Sequence, residues 1–131
     1  MRALTIYLVK QTEAAIRAHL DLVLRRHNLA TAQYTALTVL RNREGLSSAQ
    51  LARRSFVKPQ TMHEMVVGLE RQGLIERRPS ADRRHVLLIQ LTEQGQRRLA
   101  DAQADVDRIE RQMVRDLAAE EVATLRDLLE R

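Results

Sequence analysis

The chain has no cysteine and no tryptophan, and only one phenylalanine and two tyrosines. Without thiols there is no disulfide, no thiolate metal site, no cysteine nucleophile and no cysteine redox switch. With so few rings, a pocket that grips its ligand by stacking would be sparse, and aliphatic side chains and methionines would have to line it. Four glycines are too few and too scattered to form a phosphate-cradling loop. His19, His27, His63 and His85 lie far apart in the chain and make no HxxxH or histidine–carboxylate ligand spacing. No GxSxG is present. These absences argue against an enzyme, and neither a metal nor a cofactor is expected. No apolar run approaches the ~20 residues of a membrane span. The opening segment MRALTIYLVKQTE carries only a brief apolar stretch and no small-residue cleavage site, so no signal peptide is read and a cytoplasmic protein is expected.

What is present is a 131-residue chain that is 44% hydrophobic and 30% charged. That suits one ordered domain with a sizeable core. The net charge is +5, and it is unevenly spread. Residues 1–49 carry a net +4, residues 50–98 a net +5, and residues 99–131 a net −4. A basic centre points to a polyanionic partner, or simply to a solvated surface. Arginine outnumbers lysine twenty to two.

Start and stop signals divide the chain. Residues 3–27 read as a long helix with Ile16, Leu20, Val23 and Leu24 in one stripe, closed by Asn28. Thr31 is the expected cap of a second helix over 32–43, with Tyr34, Leu37 and Leu40 on one face and Gly45 beyond its end. Ser47 and Gln50 form a capping box for a short third helix through Arg54 that buries Leu51 and Ala52. Pro59 suits the first position of the next helix. In it Met62, Met65, Val66 and Leu69 form the buried stripe, while Gln60, Thr61, His63, Glu64, Val67 and Gly68 form the other face. Gly73 stops that helix, and a strand begins at Leu74-Ile75. Pro79, Ser80, Ala81 and Asp82 are turn formers, and a second strand is expected from His85 to Leu91. Thr92 caps a long helix to about residue 116. Its seam of Leu99, Ala102, Val106, Ile109 and Met113 is spaced 3, 4, 3 and 4, as in a coiled coil. A last helix continues with Val122, Leu125, Leu128 and Leu129. The terminal helices have little left to pack on within so short a chain, so a dimer made by the two ends is expected.

Two short helices joined by a tight turn, the second with a polar outer face, make a helix-turn-helix, and a basic hairpin follows it. In this order the elements resemble the MarR family of bacterial transcription regulators. The likeness is carried by Gly45-Leu46-Ser47-Ser48-Ala49-Gln50-Leu51-Ala52, Pro59-Gln60-Thr61-Met62, Leu69-Glu70-Arg71-Gln72-Gly73-Leu74-Ile75, and Asp82-Arg83-Arg84 leading to Leu91-Thr92-Glu93-Gln94-Gly95. It covers nearly the whole chain. It implies a mainly α fold with a small β-hairpin wing: a winged helix-turn-helix lobe at 29–97, flanked by dimerisation helices at 1–28 and 98–131.

The resemblance also implies a function: a homodimeric repressor on a pseudo-palindromic DNA operator, released by a small anionic aromatic ligand. The helix at 59–72 would enter the major groove. Gln60, Thr61 and His63 would face bases or phosphates, and Lys58 would sit beside a phosphate at the helix start. In the wing, Asp82 would brace the loop and Arg84 would reach the minor groove. Arg83, Arg77, Arg78, Arg53 and Arg54 would add phosphate contacts. Arg77 and Arg78 serve equally well to keep the hairpin edge soluble, Asp82 to start a turn, and His63 as a surface bystander. Glu64 departs from the family pattern, because a carboxylate facing DNA repels phosphate unless it accepts from cytosine or pairs with an arginine. Gly68 is costly in mid-helix, so close approach to DNA or to another helix is one reason for it. The stretch from Asp82 to Thr92 is about one residue longer than the family pattern, so a bulge in the second wing strand is expected. Tyr7, Arg17, His19 and Tyr34 are the candidate effector-binding residues. The competing reading is a non-enzymatic helical dimer that binds an acidic protein, or binds DNA without sequence preference.

Overall fold

The computed structural model describes residues 2–131. Six helices and one hairpin follow in the order α1 (Thr5–Arg25), α2 (Thr31–Asn42), α3 (Ser48–Arg54), α4 (Pro59–Arg71), β1 (Ile75–Pro79), β2 (Leu87–Leu91), α5 (Glu93–Met113) and α6 (Ala119–Glu130). The fold is mainly helical with a two-stranded antiparallel wing, as the element order implies. The core gathers one stripe from each central element: Leu37 and Leu40 from α2, Leu51 from α3, Met62, Val66 and Leu69 from α4, Ile89 from β2, and Leu99 with Ala102 from α5. These residues recur every three or four positions along the helices, so each helix turns one face inward.

Local chemistry explains most boundaries. Ser47 Oγ accepts from the Gln50 N–H at 3.2 Å, and Gln50 Oε1 accepts from the Ser47 N–H at 3.0 Å. Asn28 takes the left-handed conformation at φ 55° and ends α1. The start of α2 differs from expectation. Its cap residue is Ala30, whose N–H is held by Gln33 Oε1 at 2.9 Å. Thr31 is already inside the helix, and its hydroxyl donates to Asp21 on α1. A glutamine three residues into a helix can thus serve the first amide even where the cap side chain offers nothing.

The hairpin is regular. Ile75 pairs with Leu91 and the register runs unbroken to Pro79 opposite Leu87. The bulge expected in β2 is absent. The two strands are joined by the loop at 80–86, closed by Ser80 N–H to Val86 C=O at 2.8 Å and Val86 N–H to Arg83 C=O at 2.9 Å. A single bridge from Leu46 to Ile89 adds the α2–α3 connection as a third edge.

Thr92 joins the hairpin to α5. Its hydroxyl accepts from the Gly95 N–H at 3.0 Å and donates to the Gly73 carbonyl at 2.6 Å. Gly95 allows this close seat, since a Cβ there would fall 2.0 Å from the Leu74 carbonyl oxygen. The first turns of α5, through Ala102, therefore belong to the core of the central lobe. Farther along, Met113 is 47% exposed, and the helix stops there, short of residue 116.

Candidate nucleic-acid interface

Beside the core, α4 presents its unburied face. Lys58 precedes the helix in extended conformation and Pro59 occupies its first turn. Gln60, Thr61, His63 and Glu64 are all exposed. The free N–H groups of the first turn and the Lys58 ammonium make this end electropositive. Arg53 and Arg54, in the last turn of α3, are exposed next to it in the chain. Gly68 has open space where its Cβ would be, with nothing within 4 Å. Packing within the chain therefore gives no reason for glycine there.

The hairpin loop supplies the second basic element. Asp82, Arg83 and Arg84 are fully outside the core. Ser80, and not Asp82, ties the turn: its hydroxyl faces the Asp82 and Arg83 amides at 3.3 and 3.4 Å. The Asp82 carboxylate makes no ion pair among the described residues. On β1, Arg78 pairs with its near neighbour Glu76 at 3.0 Å while staying well exposed.

Arg77, expected as a phosphate contact, is engaged within the chain by Glu70. Its Nε donates to Glu70 Oε2 at 3.1 Å and its Nη2 to Oε1 at 2.8 Å. The hydrogen bonds from Arg77 hold the Glu70 carboxyl below its ordinary value of 4.5. Two parallel bonds fix the guanidinium in the plane of the carboxylate. The sequence reading missed Glu70. The signal was available: opposite charges placed three residues before and four after the helix stop at Gly73 meet when the chain reverses.

One further residue stands out. Phe56 follows α3 at φ 56°, in a position where glycine is usual. It is 96% exposed. The sequence placed it in the turn but gave no sign that its ring would be free.

The four candidate effector residues do not converge on one cavity. Tyr34 is half-buried, and its hydroxyl donates to Gln103 Oε1 on α5 at 2.8 Å. Arg41 approaches the same oxygen at 3.4 Å. Burial pushes the Tyr34 phenol above its ordinary value of 10.0. His19 lies elsewhere, in a groove of about 400 Å³ between α1 and α5 that also involves Ile16, Ile109 and Met113. Arg17 is exposed and pairs with Glu13 at 3.4 Å. Tyr7 is 59% exposed near the start of α1. Sequence reading also passed over His27, whose Nε2 meets Asp105 Oδ2 at 2.6 Å and ties the end of α1 to α5. That bond holds the Asp105 carboxyl below its ordinary 3.8.

Comparison with known proteins agrees with this architecture. A profile of the MarR family matches residues 27–85, from the end of α1 through the hairpin loop. The homoprotocatechuate degradative operon repressor of Escherichia coli is 29% identical over 128 residues, which span 98% of this chain and 86% of that protein. The structure of a mutant of Escherichia coli MarR complexed with operator DNA superposes with a TM-score of 0.85 at 23% identity, over 95% of this chain and 89% of that one. At that identity it speaks for the fold. A MarR family protein of Mycobacterium tuberculosis, solved in complex with p-aminosalicylic acid, is 30% identical, with a TM-score of 0.80 over 98% of this chain and 97% of that one. With its helix-turn-helix and first wing strand matched by the profile and nearly its whole length matched by that relative, the chain belongs to the MarR family of transcription regulators.

Proposed function

We propose that this regulator, which is not an enzyme, is a cytoplasmic homodimeric repressor of a pseudo-palindromic operator. The observation that carries the reading is a pair of exposed elements, both carrying basic side chains, on one lobe. The start of α4, with Lys58, Gln60, Thr61 and His63, stands on the same lobe as the loop with Asp82, Arg83 and Arg84. The helix fits the major groove, where glutamine pairs with adenine and threonine meets a thymine methyl. The loop arginines fit the minor groove and its phosphates. Arg53, Arg54 and Arg78 extend the front toward the backbone. The central lobe at 29–97 carries this front, and the segments 1–28 and 98–131 carry the dimer contacts. Two copies supply the two fronts a palindrome needs. The Escherichia coli relative is itself named a repressor, and the operator complex of MarR supports the mode of docking.

Release by a small carboxylate belongs to the same reading. The tuberculosis relative binds p-aminosalicylic acid. In this chain the place with matching chemistry is the junction of α2 and α5, where the Tyr34 hydroxyl and the Arg41 guanidinium converge on Gln103. A cation and a hydroxyl beside apolar side chains are what an aromatic carboxylate needs. Tyr7, Arg17 and His19 are the weaker candidates on geometry.

The test is fluorescence anisotropy with the DNA upstream of the protein's own gene and with a scrambled duplex, at about 0.15 M salt and above. Specific binding at least ~1000-fold tighter than to the scrambled duplex is expected. Arg84→Ala, still dimeric, is expected to lose about 1–3 kcal/mol. Equal and steeply salt-dependent binding to both duplexes would reject sequence-specific repression at that site.

A further inference from the structure

The root of the hairpin is packed into the core through Leu74, Ile75 and Ile89, and its loop end projects free of that packing. β1 and β2 pair with each other, and beyond that, among the described residues, only the bridge at Leu46 links the hairpin to another segment by strand hydrogen bonds. The loop at 80–86 projects beyond Pro79. Its tip lies roughly 10 Å or more beyond Arg77, at about 3.3 Å per extended residue. A tilt of about 10° in β1 would therefore move the tip by about 2 Å, most of a hydrogen-bond length.

Both α4 and β1 feed the apolar core, and one side-chain hydrogen-bonded contact also spans the angle between them. Glu70 sits in the last turn of α4, Arg77 is the third residue of β1, and the chain reverses between them at Gly73, φ 76°. The contact is bidentate, at 2.8 and 3.1 Å, and the Arg77 side chain is 26% exposed. Arg78, next along the strand, is 68% exposed, and its partner Glu76 lies on the same strand. The pair at Arg78 therefore fixes nothing between elements.

Given the DNA-binding reading above, we propose that Arg77 is a positioning residue. It acts through Glu70 to hold the wing at a set angle to α4, so that the helix and the loop arginines meet one duplex together. It does not serve as a phosphate contact.

The two roles predict opposite signs for one substitution. If Arg77 neutralised a phosphate, Glu70 would compete with DNA for it. Glu70→Gln would then release the guanidinium and tighten binding. If Arg77 positions the wing, Glu70→Gln loosens it and weakens binding.

The experiment uses the full-length protein and a duplex selected by the wild type from a random-sequence pool. Glu70→Gln and Arg77→Lys are each expected to weaken binding about tenfold, the scale of one charged hydrogen-bonded pair. The double variant is expected to be no weaker than either single one, since both remove the same contact. The salt slope stays unchanged. The loss falls on wing-read positions. Replacing the flanking A·T pairs by G·C costs the variants much less than it costs the wild type, while a base change under α4 costs both the same. A merely destabilised lobe would lower both discriminations alike, and that result would overturn the proposal. So would Glu70→Gln binding as tightly as wild type or tighter, or Arg77→Lys alone lowering affinity. If the wild type selects no duplex, the DNA-binding reading falls and this role falls with it. Hydrogen exchange of the hairpin amides in free Glu70→Gln protein would still report whether the contact holds the wing.

Discussion

Leu37 on α2 is fully buried, whereas Leu129 on α6 is 73% exposed. Both belong to apolar stripes at helical spacing. The contrast extends to whole regions. The central lobe closes on itself, with every helix from α2 to α4 contributing buried side chains. The two ends do not. α6 has no buried residue, and Leu4, Ile6, Leu8 and Val9 near the start of α1 are each more than half exposed. Identical periodicity therefore has two meanings, and only the availability of a facing surface within the chain separates them. The terminal stripes are written for a surface that one copy lacks, which supports the proposed dimer.

The largest effects are expected inside the lobe. Leu37→Ala empties a closed site and costs about 2–5 kcal/mol. Gly95→Ala forces a methyl onto the Leu74 carbonyl and costs about 3 kcal/mol. Urea unfolding measures both, and a Gly95→Ala change near zero would show that α5 can shift without penalty.

Next come the ends. Leu129→Asp is expected to weaken self-association by about 2 kcal/mol and leave the lobe's helix content intact. Sedimentation across a concentration series reads this, and an unchanged dimer would remove α6 from the interface.

Smaller effects sit at the lobe's charged ties. The Glu70 carboxyl lies below its ordinary 4.5 and that of Asp105 below 3.8. Each carboxylate's contribution is therefore present above that ordinary value and is lost as pH falls through the lower folded one. Carboxyl NMR titration should place both groups below their ordinary values. Glu70→Gln should remove the acid-dependent part of hairpin protection. Either carboxyl titrating at or above its ordinary value would contradict the corresponding geometry.

The smallest change is a gain. Phe56→Gly relieves a left-handed residue and is expected to add about 1 kcal/mol of stability. Gly68→Ala should add about the same through helix propensity. A loss at Gly68 in the free protein would mean that something within the dimer approaches its backbone closely.

How much of this was legible depended on distance along the chain. The Ser47–Gln50 box and the stops at Asn28 and Gly73 are written within a few residues, and they read directly. The α2 start did not, because Gln33 serves the backbone N–H of an alanine that carries no cap signal. The wing was visible, but not that its second strand would pair without a bulge. The Glu70–Arg77 pair, the seat of Gly95 and the tie from His27 to Asp105 all join residues across a turn or across the lobe. No periodicity reports such contacts. For the basic front, the sequence identified exposed residues on α4 and in the loop, since amphipathic spacing tells inside from outside. It did not tell which arginine would be engaged by the protein itself. The effector residues were the least legible, because a helix stripe does not name the surface it faces.

The single hydroxyl of Thr92 has a mechanical consequence. It is bonded both to the stop of α4 at Gly73 and to the first turn of α5 at Gly95. α4 and α5, the latter a rod roughly 30 Å long, are thus tied together at one joint. Tilting that rod by about 5° about its far end would carry the near end some 3 Å, by the same rise per residue, and α4 would travel with it. In the proposed dimer the spacing of the two fronts is in this sense geared to the ends of the chain, and a Thr92→Val exchange would introduce backlash at the joint.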